Sequence, residues 1–166
     1  MTHLSRSTRF LPIQICILFL VMVSVAALAS GQTGGRKSGH EEGDGEPTFK
    51  EYRGAQIGMS ADEVRKKLGN PADKGDEQDF YVFNEKETAQ ILYDKATKNA
   101  IAISVDFMSG ATGVITPQQV FGADVDAKPD GSKYKLVRYP KVGYWISYSR
   151  TAGDTPIVTV TMQKIP

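Results

Sequence analysis

A helix-start device occurs twice in this chain, 56 residues apart, and it constrains the fold more than any other feature. The first copy reads Met59-Ser60-Ala61-Asp62-Glu63-Val64 and the second reads Ile115-Thr116-Pro117-Gln118-Gln119-Val120. Each places a hydroxyl residue at the N-cap and a Glu or Gln three residues later, so that two orphan backbone N–H groups are satisfied reciprocally. Each also sets an apolar residue before the cap against a Val five positions on, which is a hydrophobic staple. Pro117 stands at the first helical position, where the missing N–H is harmless. Three strand-like runs follow each copy. The pattern predicts an α+β domain over 48–166 with short helices packed on a curved antiparallel sheet. It reads as two tandem helix-plus-three-strand modules, about 48–110 and 111–166.

Within the first module the helix is expected over Ala61–Leu68, with Val64 and Leu68 on one stripe. Lys66 and Lys67 suit its C-terminal dipole, Gly69 supplies the stop and Pro71 prevents continuation. Strands are expected over 79–84, 89–94 and 101–108, the last with Ile101, Ile103, Val105 and Phe107 on one face. The second module has a helix cut short by Gly122 and strands over 133–139, 143–150 and 157–164.

The first 29 residues read as an export leader. Arg6 and Arg9 precede an almost unbroken apolar run, Leu11 to Leu28, and Ala27-Leu28-Ala29 is a small-x-small cleavage signature. Cleavage after Ala29 or Gly31 fits this pattern; the run is also long enough for an uncleaved signal anchor in the inner membrane. The expected location is therefore exported, periplasmic or secreted. Cys16 is the only cysteine and lies inside the apolar run without a lipidation context. A cleaved chain would have no disulfide, thiolate nucleophile or Cys-based metal site. Losing Arg6 and Arg9 leaves 18 basic against 19 acidic residues, a balance that gives no support to nucleic-acid or membrane-surface binding. Residues 30–47 are rich in glycine and acid and hold no large apolar side chain, so they read as a disordered linker.

Catalytic signals are sparse. The two histidines, His3 and His40, fall in the leader and the linker, so no Ser-His-Asp, Cys-His or His-metal arrangement arises within 48–166. Asp73, Asp76, Glu77 and Asp79 cluster in a glycine-containing loop, where solvated acids are expected. Their spacing departs from an EF-hand loop. No Gly-Lys-Ser/Thr follows Gly58 or Gly69, so there is no phosphate loop. No cofactor and no metal are expected.

One surface stands out. Lys133, Lys135, Arg138, Lys141 and Arg150 fall within eighteen residues that contain no acid, interleaved with Tyr134, Tyr139, Tyr144, Trp145 and Tyr148. Aromatics and arginine are what protein-binding hot spots use. Strand alternation puts Tyr144, Ile146 and Tyr148 on one face and Trp145 with Ser147 on the other. The Ile146 face is the better core candidate, which leaves Trp145 exposed. The candidate partner-binding residues are Trp145, Arg138, Lys135, Lys141 and Arg150. The bland alternative is that the aromatics fill the core and the cations are a solvated face.

The segment Tyr52 to Pro71 resembles the small-protein-A/outer-membrane-lipoprotein-A (SmpA/OmlA) domain. Gly58-Met59-Ser60, Val64 and Leu68-Gly69-Asn70-Pro71 match its signature. Tandem versions of that unit resemble the β-lactamase-inhibitor-protein fold. The resemblance implies a fold and a habit of binding other proteins, and it carries no catalytic residue. The leading reading is thus a non-enzymatic envelope or secreted module that binds another protein. The alternatives are an inhibitor-like binder of an extracellular enzyme and a small hydrolase that uses carboxylates alone.

Overall fold

The computed structural model describes residues 41–166, so the leader, Cys16 and residues 30–40 of the linker lie outside the described residues. In chain order the elements are β1 (Glu41–Glu42), α1 (Ala61–Leu68), β2 (Asp73–Lys74), β3 (Gln78–Asn84), β4 (Glu87–Tyr93) and β5 (Ala100–Phe107). There follow α2 (Pro117–Phe121), β6 (Lys133–Tyr139), β7 (Tyr144–Arg150) and β8 (Val158–Lys164).

Both helix starts form as their residues dictate. The Ser60 hydroxyl accepts from the Glu63 N–H at 3.4 Å while the Ser60 N–H donates to the Glu63 carboxylate at 2.9 Å. Thr116 and Gln119 repeat the pair at 3.3 and 2.9 Å. Met59 and Ile115, the residues before the caps, are partly buried against the core. Gly69 ends α1 at φ 87 and Gly122 ends α2 at φ 71, backbone conformations that a Cβ would resist.

The α+β expectation needs correction. The strands form one eight-stranded mixed sheet in the order β1-β6-β7-β8-β5-β4-β3-β2, while α1 has eight residues and α2 five. The caps define where each helix begins, but Gly69 and Gly122 end each one early. The sheet, not a helix layer, is the body of the fold. It is mixed because β1 runs parallel to β6, whereas the other pairs are antiparallel. The β3-β4-β5 and β6-β7-β8 triplets meet at the β5–β8 pairing.

Alternation gives the sheet two distinct faces. The first face is apolar: Tyr81, Ile91, Ile103, Val105, Ile146, Val160 and Met162 are almost wholly buried, with Val64 of α1 and Val120 of α2 packed among them. Both helices lie over this face. Ile101 departs from its expected place. The β4–β5 register shifts so that Leu92 pairs with Ala102 and Tyr93 with Ala100, and Ile101 is left only partly buried. A bulge of this kind adds one residue to a strand and breaks its period of two.

Candidate functional site

The second face is the candidate site. Register aligns its side chains in three rows across β3, β4, β5, β8, β7 and β6. The middle row runs Phe80, Gln90, Ser104, Thr161, Ser147 and Leu136. A row beside it runs Val82, Thr88, Asp106, Thr159, Ser149 and Tyr134. The third ends in Gln163, Trp145 and Arg138. All these residues stay at least partly exposed.

The centre of this face is small and polar. Ser104 and Thr161 share a hydrogen bond of 2.9 Å across the β5–β8 pairing, and the Thr159 hydroxyl donates to Asp106 at 2.6 Å. The two ends are apolar. Phe80 and Val82 are 36% and 52% exposed at one end, and Tyr134 is 50% exposed at the other, next to Leu136 on β6, with Trp145 farther along on β7. Five strand steps at about 4.8 Å separate the ends by roughly 24 Å. Asp106 and Arg138 are the only charged side chains in the rows. Such a face can stack and hydrogen-bond, and it offers few ions to desolvate.

The five residues singled out from the sequence do not share one face. Arg138 and Trp145 are direct cross-strand partners on the second face, with Trp145 half-buried. Lys135 pairs with Tyr148 and Arg150 with Lys133, on the face that carries the helices. The Lys135 ammonium lies 2.7 Å from Glu41 and 5.4 Å above the Phe121 ring. Arg150 reaches the Gly131 carbonyl at 3.3 Å. Lys141, in the β6–β7 turn, donates to the Asp44 carbonyl at 2.7 Å.

Two charged clusters escaped the sequence reading. Asp79 was expected in a solvated acidic loop, yet it is fully buried, because it shares strand parity with Tyr81 and Phe83. Arg65 of α1 grips it with a two-nitrogen fork at 2.8 and 3.0 Å, and the Tyr93 hydroxyl donates to it at 2.8 Å. Burial alone would push the Asp79 carboxyl up. The Arg65 and Tyr93 bonds outweigh burial and hold it below its usual range. Burial and the Asp79 charge push Tyr81 up to about 12.

The second cluster centres on Glu87, at the start of β4. It accepts from Tyr52 at 2.5 Å, from Arg53 at 2.8 and 2.9 Å and from Asn84 at 3.3 Å. Here too burial would raise the carboxyl, and the Tyr52 and Arg53 bonds bring it below the usual range. Arg53 adopts φ 49 in a two-residue turn closed by paired Tyr52–Ala55 backbone bonds of 2.9 Å. A left-handed Arg costs about 1–2 kcal/mol, which its bonds to Glu87 and its guanidinium 4.2 Å above the Phe83 ring offset. An open cleft of about 540 Å³ lies alongside. A carboxylate held ionised in this way serves as a fixed acceptor, whereas a general acid at neutral pH needs a raised pKa.

Among the described residues no group of three His, Cys, Asp or Glu side chains is placed to hold a metal ion, and no helix is long and apolar enough to cross a membrane. Comparison with protein-family models, curated proteins and solved structures finds no match.

Proposed function

We propose that the chain is an exported, non-enzymatic module whose second sheet face binds another envelope or extracellular protein. The observation that carries this reading is the distribution on that face: an almost uncharged hydroxyl centre between apolar ends that include Trp145, Tyr134 and Phe80. Interface cores are depleted in charge and enriched in aromatics and arginine. Trp145 beside Arg138 is a pairing that hot spots favour. The leader at 1–29 and the SmpA/OmlA resemblance of residues 52–71 support export and partner binding respectively.

The test is capture from envelope extracts, comparing wild type with Trp145→Ala and Phe80→Ala. Both variants should lose a partner that wild type retains, while their unfolding free energies stay within about 1 kcal/mol of wild type. Unchanged capture by both would remove the second face from consideration. A loss of several kcal/mol in Trp145→Ala would mean that the side chain is structural.

A further inference from the structure

The outer edge of β6 lies away from the face just described. There the acidic segment 41–47 is laid along the sheet. Glu41 and Glu42 pair in parallel with Val137 and Arg138, and the Gly43 N–H donates to the Arg138 carbonyl at 2.8 Å. This is the sheet's one parallel pairing among the described residues. Lys135 holds the Glu41 carboxylate at 2.7 Å, and Lys141 holds the Asp44 carbonyl at 2.7 Å. The groove also selects for size. A Cβ at position 43 would come to 2.5 Å from the Tyr139 ring, so any residue larger than glycine there must displace that ring. Pro47, fully buried, pins the far end of the segment.

We propose that the β6 edge is a docking groove for an extended acidic segment of a partner protein, of the form Glu-Glu-Gly-Asp, which the chain's own residues 41–44 occupy in cis. Strand addition reads backbone groups, charge and side-chain size, and none of these depends on which chain supplies the strand. The cis strand is two residues long and both side chains are exposed, so few contacts must be surrendered for exchange. What protects it is its tether, which sets a high local concentration. A partner would succeed by contributing a longer strand or a higher copy number. The proposal does not depend on the reading of the second face.

The probe is a fluorescent peptide of the chain's own residues 39–47, Gly-His-Glu-Glu-Gly-Asp-Gly-Glu-Pro. It is titrated against wild type and against Glu41→Lys/Glu42→Lys, in which like charge facing Lys135 and next to Arg138 releases the cis strand. The released variant should bind saturably, at least about tenfold tighter than wild type. Binding should weaken with salt and disappear when Lys135→Glu is added. A peptide with alanine in place of its third-strand glycine should bind at least about tenfold more weakly, because the Tyr139 ring excludes the methyl group. Gly43→Ala offers a second way to release the cis strand without changing charge, should the double-lysine variant fail to fold. Absence of saturable binding to both released variants overturns the proposal, as does equal binding of the two peptides. A strand-exchanged dimer in sedimentation would assign the edge to a second copy and likewise overturn it.

Discussion

The two halves of the sheet begin with the same device and diverge within two turns. α1 runs for eight residues and α2 for five. The fifth helical position carries Arg65 in α1 and Phe121 in α2, and Arg65 is what permits a carboxylate to sit inside the first half. Asp79 and Glu87 are the buried charged residues among those described, and both belong to β3 and β4. The second half fills the same face with Val137, Ile146, Tyr148, Val158, Val160 and Met162, and Phe121, which stands where α1 has Arg65, offers no guanidinium. A cap decides where a helix begins, whereas the side chain one turn in decides what it can bring to a neighbouring strand. One half therefore depends on paired charge for its interior and the other on apolar packing alone.

The strongest way to break this contrast is Arg65→Ala. It strands the fully buried Asp79 and should cost about 3–5 kcal/mol, the usual penalty for removing one partner of a buried pair. Chemical denaturation measures it. A loss below about 1 kcal/mol would show that Asp79 finds water or neutralises instead.

Acid should act in the same direction, more mildly. Asp79 and Glu87 are held below their usual range in the folded state, so the unfolded state binds more protons there and stability rises with pH. Their contribution is complete above about pH 5, erodes as pH falls through about 4, and is lost on passing the depressed native values. Hydrogen exchange on a falling pH series should show β3 and β4 opening before β6 and β7. Simultaneous opening of both halves would remove the contrast between them.

The smallest expected effect concerns the caps. Ser60→Ala should destabilise by about 1 kcal/mol and Thr116→Ala by about 0.5 kcal/mol, because α2 has a single turn to lose and is also fixed by the buried Pro117 and Val120. Glu63→Ala should cost less than Ser60→Ala, since it removes only the reciprocal bond. Thermal unfolding of the three variants ranks them. A Thr116→Ala loss larger than that of Ser60→Ala would reverse the order of the two halves.

Local chemistry was legible in the sequence and distant chemistry was not. Ser60 with Glu63, the Ala61–Leu68 helix and the Lys133–Tyr139 strand depend on neighbours within a few positions, and each forms where its residues indicate. The parity that separates Trp145 from Ile146 is equally local. Asp79 is different. Its partner Arg65 lies fourteen positions earlier, and the preceding acids masked a strand that already begins at Gln78. Arg150 and Lys135 were grouped with Arg138 by composition, although the register sends them to opposite faces. The β1 strand had no signal of its own, because Lys141 and Asp44 meet across 97 positions of chain. The caps and stops mark two short helices, but nothing local in the sequence shows that the six strands join β1 and β2 in a single sheet, and that sheet is what makes the fold sheet-dominated.

The meeting of β5 and β8 has a kinetic consequence. Its hydroxyl contacts join residues 53 and 57 positions apart, while the β3–β4 and β6–β7 hairpins close over a few residues. Loop-closure entropy must be spent before such distant pairing returns anything, so the hairpins should assemble early and the central junction late. Until then each triplet presents a full-length unpaired strand from what will become the middle of the sheet, the kind of edge along which chains aggregate. Refolding yield should accordingly fall as protein concentration rises, and a seam that ends in the middle of the sheet begins as an adhesive edge.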